Sequence, residues 1–126
     1  SISEDIIIEL LNSKTRYTRK DIITLIRNLK LSHLEDQLFK SYHLEEIIRN
    51  KISIFKTLAE IGSEKSIFFA LKTIEDPNID SDIVFEAVRT IFKINPMFFE
   101  QFIISKFSEK ETVKKIIAHI NNPYLS

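Results

Sequence analysis

The sequence predicts an all-α protein, a short solenoid of paired helices, and three observations carry that expectation. Its 126 residues hold a single Gly and three Pro, too few for the tight turns of a β-sandwich or an α/β fold. Apolar residues recur at i, i+3, i+4 and i+7 along most of the chain, and no stretch alternates with period 2. The third observation is a repeat. Residues 44–77 read as two antiparallel helices joined at Gly62, and 82–107 restate the plan about 33 residues later. A helix pair recurring at this period cannot bury its own apolar faces, so neighbouring pairs must stack to close the core.

The elements follow in order. Ser3 is placed to cap a first helix of about ten residues, with Glu4 and Asp5 in the turn where the helix dipole favours negative charge. Ile6, Ile7, Leu10 and Leu11 form its apolar side, and NSKTRYT breaks the pattern. Thr18 opens T-R-K-D, a capping-box-like start with Asp in place of Glu, ahead of Ile22, Leu25, Ile26 and Leu29. Ser32 opens S-H-L-E, a capping box closed by Glu35, and Leu34, Leu38 and Tyr42 line the next helix.

The longest helix, about 44–61, carries two stripes, Ile48/Ile52/Phe55/Ala59 and Ile54/Leu58/Ile61. So wide an apolar arc requires neighbours on more than one side. Gly62 stands where a left-handed C′ residue is wanted, and Ser63 is placed to cap the helix that buries Ile67, Ala70, Leu71 and Ile74. That helix stops at Asp76-Pro77, because proline disfavours helical geometry in the residue before it. Asp80 or Ser81 starts a helix with Val84, Ala87, Val88 and Ile91, widened by Phe85 and Phe92. Asn95-Pro96 is both a stop and a start: Asn tolerates the left-handed cap, and Pro suits the first helical turn. Phe99, Phe102, Ile103 and Phe107 follow on one side, and Ser108 opens another capping box, S-E-K-E. The last helix shows Val113, Ile116, Ile117 and Ile120 before Asn121-Asn122-Pro123 ends it, for a total of seven or eight helices.

Composition bounds the class of activity. With 44% hydrophobic and 29% charged residues, 1–126 is expected to be one folded domain able to bury roughly two thirds of its unfolded surface. Formal net charge is zero, so no global field draws the chain to nucleic acid or anionic lipid. There is no Cys, which excludes disulfides, thiolate metal sites and a cysteine nucleophile. Apolar runs such as 67–71 are far too short to insert in a membrane. No signal-peptide pattern is present, and a cytoplasmic location is expected. Because the chain begins with Ser1, a targeting or anchoring segment upstream of it stays an open alternative.

The repeat aligns residue by residue. Thr57-Leu58-Ala59-Glu60-Ile61-Gly62 falls on Thr90-Ile91-Phe92-Lys93-Ile94-Asn95, and Leu34 and Leu38 lie 33 residues before Ile67 and Leu71. L-A-E-I-G at 58–62 and I-x-x-A-L-x-x-I-E-D-P at 67–77 resemble the short HEAT-like repeat, best over 48–77, fairly over 82–107 and loosely over 18–42. The chain departs from the family pattern at two places. Asn50-Lys51 and Ile83-Val84 stand where a Val-Arg pair is expected, and Asn95 replaces the glycine in the second copy. The resemblance implies a right-handed α-solenoid acting as a protein-interaction scaffold. The competing reading is an irregular helical bundle whose loops happen to be similarly spaced.

In a solenoid, the second helix of each pair lines one surface. Phe69 lies about 200° round the axis from Ile67, away from the apolar stripe, with Lys65 and Lys72 beside it. Met97, Gln101 and Ile104 share a side of the helix over 97–107, opposite Phe99, Phe102 and Ile103. An exposed Phe between lysines, near a Met/Ile patch, is the expected anchor for an amphipathic helix or an acidic peptide. Packing of these side chains against neighbouring helices, or against a following repeat, is the competing reading.

Residues 14–30 hold Lys14, Arg16, Arg19, Lys20, Arg27 and Lys30 against Asp21, with Tyr17 among them. They offer phosphate contacts and a stacking ring, or else a solvated face balanced by acids elsewhere. The acids of 76–82 begin like a calcium loop, but Ser81 stands where glycine is needed and Ala87 where the bidentate glutamate belongs, so helix capping explains them better. His33, His43 and His119 share no ligand spacing, and no catalytic motif appears. The expectation is a non-catalytic protein–protein interaction scaffold without cofactor or metal. Nucleic-acid binding through 14–30 is the alternative, and nucleic acid is not the expected main partner.

Overall fold

The computed structural model of the protein describes residues 3–107 and 111–120, and every regular element among them is helical. In chain order these are α1 (Glu4–Leu11), α2 (Arg16–Asn28), α3 (Glu35–Leu44, entered through a 3-10 turn at Ser32–Leu34), α4 (Ile48–Ile61), α5 (Glu64–Glu75) and α6 (Ser81–Ile94). In α7, Pro96–Phe98, Phe99–Ile103 and Ile104–Phe107 follow without a break, and α8 is Glu111–Ile120. The expected start at Ser108, the stop at 121–123 and the side chains of Val113, Ile116, His119 and Ile120 lie outside the described residues.

Several helix ends are where local chemistry puts them. The Ser3, Ser63 and Asp80 side chains accept from the backbone N–H groups of Ile6, Lys65 and Asp82. Asn95 caps α7 by accepting from the Phe98 N–H, with Pro96 in the first turn. Asn95 itself is not left-handed (φ −146°, ψ 89°).

Other ends are corrected by tertiary contacts. Thr18 lies inside α2, which starts at Arg16 after an uncapped Thr15. The Arg16 carbonyl there accepts from Asn50 Nδ2 of α4. α3 runs on to Leu44, so α4 begins at Ile48 rather than near 44. Between them Glu45 turns inward to Arg19, with Nε–Oε2 and Nη2–Oε1 both at 2.9 Å. Gly62 is extended (φ −74°, ψ 155°), not left-handed. It is required instead by crowding, since a Cβ there would strike Ser66 Oγ and lie 2.5 Å from the Leu58 carbonyl oxygen. The left-handed residue is Lys30 (φ 52°), which closes α2. Its N–H donates to the Arg27 carbonyl while the Leu31 N–H reaches back to Ile26, the paired bonds of a Schellman motif.

Hydrogen bonds at regular offsets show how α2, α4 and α6 lie. Asn50 Nδ2 donates to the Arg16 carbonyl at 3.2 Å, and Thr57 Oγ1 reaches the Ile23 carbonyl at 3.3 Å. Both partners step forward together, so α2 and α4 run parallel and side by side. Thr90 Oγ1 repeats the contact onto α4, donating to the Phe55 carbonyl at 3.0 Å. Glu60 faces Lys30 at 3.8 Å and Lys93 at 3.6 Å, which places α4 between α2 and α6.

Asn50, Ser53 and Thr57 are therefore buried between the two apolar stripes of α4. Their side-chain groups satisfy backbone carbonyls and Arg27, as buried polar atoms must. The core beneath is filled by Ile54, Phe55, Leu58, Val88 and Ile91, all fully buried. α3 packs on α4, α5 on α6, and α7 and α8 also on α6.

Candidate partner-binding surface

α3 and α5 are brought together at their first turns by one carboxylate. Glu35 is buried, and its oxygens accept from the Ser63 N–H at 2.6 Å, Ser63 Oγ at 2.8 Å and Ser66 Oγ at 2.6 Å. The capping box expected for its own helix does not form; Glu35 caps α5 instead. Just outside, Lys65 Nζ pairs with Asp36 at 2.7 Å, and that hydrogen bond raises the Lys65 pKa.

Further along the same two helices, the rings interlock. Phe69 stacks on Phe39 with centroids 4.6 Å apart, and Tyr42 meets it edge-on at 5.2 Å. Phe55 and His43 approach it at 5.7 Å and 5.6 Å. The expectation of a free Phe69 is thus corrected. It does point away from the stripe of its own helix, but α3 occupies that side. The exposed ring of α5 is Phe68, 63% accessible.

One edge of Phe69 stays open, as part of a groove of about 300 Å³ lined by Tyr42, His43, Lys51, Lys72, Asp76 and Ile79, with Thr73 also on its wall. Lys51 Nζ lies 5.3 Å from the Tyr42 ring centroid, a cation–π contact. The Tyr42 hydroxyl is buried and makes no hydrogen bond of good geometry. Burial pushes its pKa up, and the Thr73 hydroxyl opposes this only in part. The groove is thus an aromatic floor between two lysines, with a buried hydroxyl in its wall.

Of the residues expected to bind a partner, Phe69 and Lys72 line this groove; Lys65, Met97, Gln101 and Ile104 do not. Met97 is 68% exposed and Gln101 is exposed, whereas Ile104 is half-buried against the core and Phe102, expected inside, is partly exposed. The cause is a π-helical segment at Phe99–Ile103. There the Ile104 N–H donates five residues back to the Phe99 carbonyl, and the wider turn rotates the side chains that follow. Tyr42, His43, Lys51, Asp76 and Ile79 were not anticipated as groove residues. A signal for part of the site existed in Phe39 and Tyr42, which share a helix face at i, i+3.

The basic segment 14–30 is divided by the fold. Arg19 is spent on Glu45, whose own burial opposes ionisation but whose pKa is nonetheless held down by the guanidinium and the Ile47 N–H. Lys30 faces Glu60, and Arg16 bonds the Tyr17 hydroxyl at 2.9 Å. The acids at 76–82 serve the turn and the cap: Asp76 Oδ1 accepts from the Asn78 N–H and Asp80 Oδ1 from the Asp82 N–H. Among the described residues no helix is long and apolar enough to cross a membrane. Compared with known proteins, the chain matches no family model, no curated protein and no solved structure.

Proposed function

We propose that this chain is a non-catalytic interaction module, a right-handed solenoid of HEAT-like helix pairs that holds a protein or peptide partner. The parallel array of α2, α4 and α6, tied by Thr57 and Thr90 at the 33-residue spacing, supports the solenoid reading. The observation that carries the function is the open groove beside Phe69. An aromatic floor suits an apolar anchor, and Lys51 and Lys72 suit acidic residues on either side of it. The partner segment is therefore a short amphipathic peptide with an apolar residue flanked by Asp or Glu.

Selection of peptides from a random library on the immobilised protein tests this reading. Enriched sequences should share that pattern and bind the double variant Lys51→Glu, Lys72→Glu at least about tenfold more weakly, with the helical circular dichroism of the parent retained. No enrichment, or equal binding by the variant, would reject the groove. Phe69→Ala does not serve as a binding test. Removing a ring packed against four others should cost about 3 kcal/mol of stability.

A further inference from the structure

The parallel packing of α2 and α4 brings together cations that are far apart in sequence. On α2, Arg16, Lys20 and Arg27 share one face at i, i+4 and i+11; on α4, Arg49 and Lys56 share another at i, i+7. The two faces meet across two adjoining grooves, one lined by Arg16, Lys20 and Arg49, the other by Lys20, Arg27, Arg49 and Lys56. No acidic side chain lines either groove. Among the described residues none of these five cations is in an ion pair.

Arg27 is anchored by neutral groups, donating to Ser53 Oγ at 2.7 Å and Thr57 Oγ1 at 3.1 Å, and Glu60 and Glu86 act on it only from beyond pairing distance. α2 carries no acid in its first turn, so its positive end adds to the field of Arg16 and Lys20, whereas at the entrance to α4 the Glu45 carboxylate accepts from the Ile47 N–H.

We infer that this α2–α4 groove binds the phosphate backbone of single-stranded nucleic acid. From Arg16 to Arg27 the cations form a ladder about 16 Å long, long enough to follow several consecutive phosphates of one strand. Between the cations the walls are Thr24, Ile47 and Ile52, with the buried Asn50 and Ser53 side chains already bonded to the Arg16 carbonyl and to Arg27, so the cations and not the floor carry the phosphate contacts. At the end of the ladder the Tyr17 ring is 63% exposed, with the Arg16 guanidinium 4.9 Å from its centroid, a platform on which a base can stack. The site lies apart from the Phe69 groove, with which it shares no lining residue.

Fluorescence anisotropy with a labelled 15-nucleotide DNA strand of mixed sequence tests the inference. The whole chain should bind at about 20 mM salt and weaken with added salt at a log–log slope near −3, as expected for about four phosphates. The triple variant Lys20→Ala, Arg49→Ala, Lys56→Ala should bind at least about tenfold more weakly, whereas Lys72→Ala in the other groove should bind as the parent does. Tyr17→Ala should weaken the strand but leave inorganic polyphosphate binding unchanged. Three results would overturn the inference. They are no binding at low salt, equal binding by the triple variant, or tighter binding of a polyglutamate peptide of the same charge, which would reassign the groove to a protein.

Discussion

Removal of the Glu35 carboxylate is the sharpest test of how the α3–α5 face is held. In Glu35→Ala, the Ser63 N–H and the fully buried Ser66 hydroxyl lose their acceptor, and Ser63 Oγ loses the acceptor of its own proton while still accepting from the Lys65 N–H. Two stranded donors cost about 1–3 kcal/mol each, partly offset because a charge no longer has to be buried. The expected net loss is about 3 kcal/mol. With an unfolding entropy of about 2.1 cal/mol/K per residue over the chain, that is a fall in Tm of about 11 °C.

Glu35→Gln keeps the shape and one acceptor and should lose about half as much. Urea unfolding followed by circular dichroism measures both, with an unchanged m-value expected. If Ser66 is a true partner, Glu35→Ala and Ser66→Ala should couple by more than about 1 kcal/mol in a double-mutant cycle. A loss below about 1 kcal/mol for Glu35→Ala, or strict additivity with Ser66→Ala, would refute the capping role.

Two further predictions follow from other buried contacts. Gly62→Ala should lose about 2–3 kcal/mol, because its Cβ meets Ser66 and the Leu58 carbonyl, and Ser66 is held by Glu35; stability within about 0.5 kcal/mol of the parent would show that the α4–α5 junction is loose. Glu86 is buried with one carboxylate oxygen lacking a hydrogen bond, and burial raises its pKa above 4.5 despite Arg89. Ionising it thus costs the folded state stability. The penalty is absent below the unfolded value, develops as pH rises from there through the folded value, and is complete above it. Glu86→Gln should therefore be more stable than the parent at pH 7 in thermal melts, with the advantage vanishing in acid. An advantage of the same size at pH 3 would contradict this account.

The candidate sites were legible only in pieces. Phe69 and Lys72 could be named from helical spacing, but their surroundings come from α3 and from Lys51 at the start of α4. A helical wheel shows where a side chain leaves its own rod, not which rod lies across from it. The same holds for 14–30. Its excess charge is plain in the order of residues, yet which cations are neutralised depends on Glu45 and Glu60, brought up by α4. Arg49 and Lys56, some 20 to 40 residues further on, complete the ladder with Lys20 and Arg27.

By itself, the amino-acid order determined that this chain is helical, where most of its helices lie, and which apolar stripes they bury. Those outcomes depend on interactions within a few residues: periodicity, caps such as Ser3, Ser63 and Asp80, and breakers such as Pro77 and Pro96. Tertiary structure alone decided the uses of the polar and ambiguous residues. Glu35 caps a different helix, Asn50 and Thr57 bond another helix's carbonyls, Gly62 makes room for Ser66, and Phe69 joins a ring cluster. The physical reason is range. A buried polar group or an aromatic edge takes whatever partner the packing of distant segments delivers, and no window of neighbouring residues contains that partner.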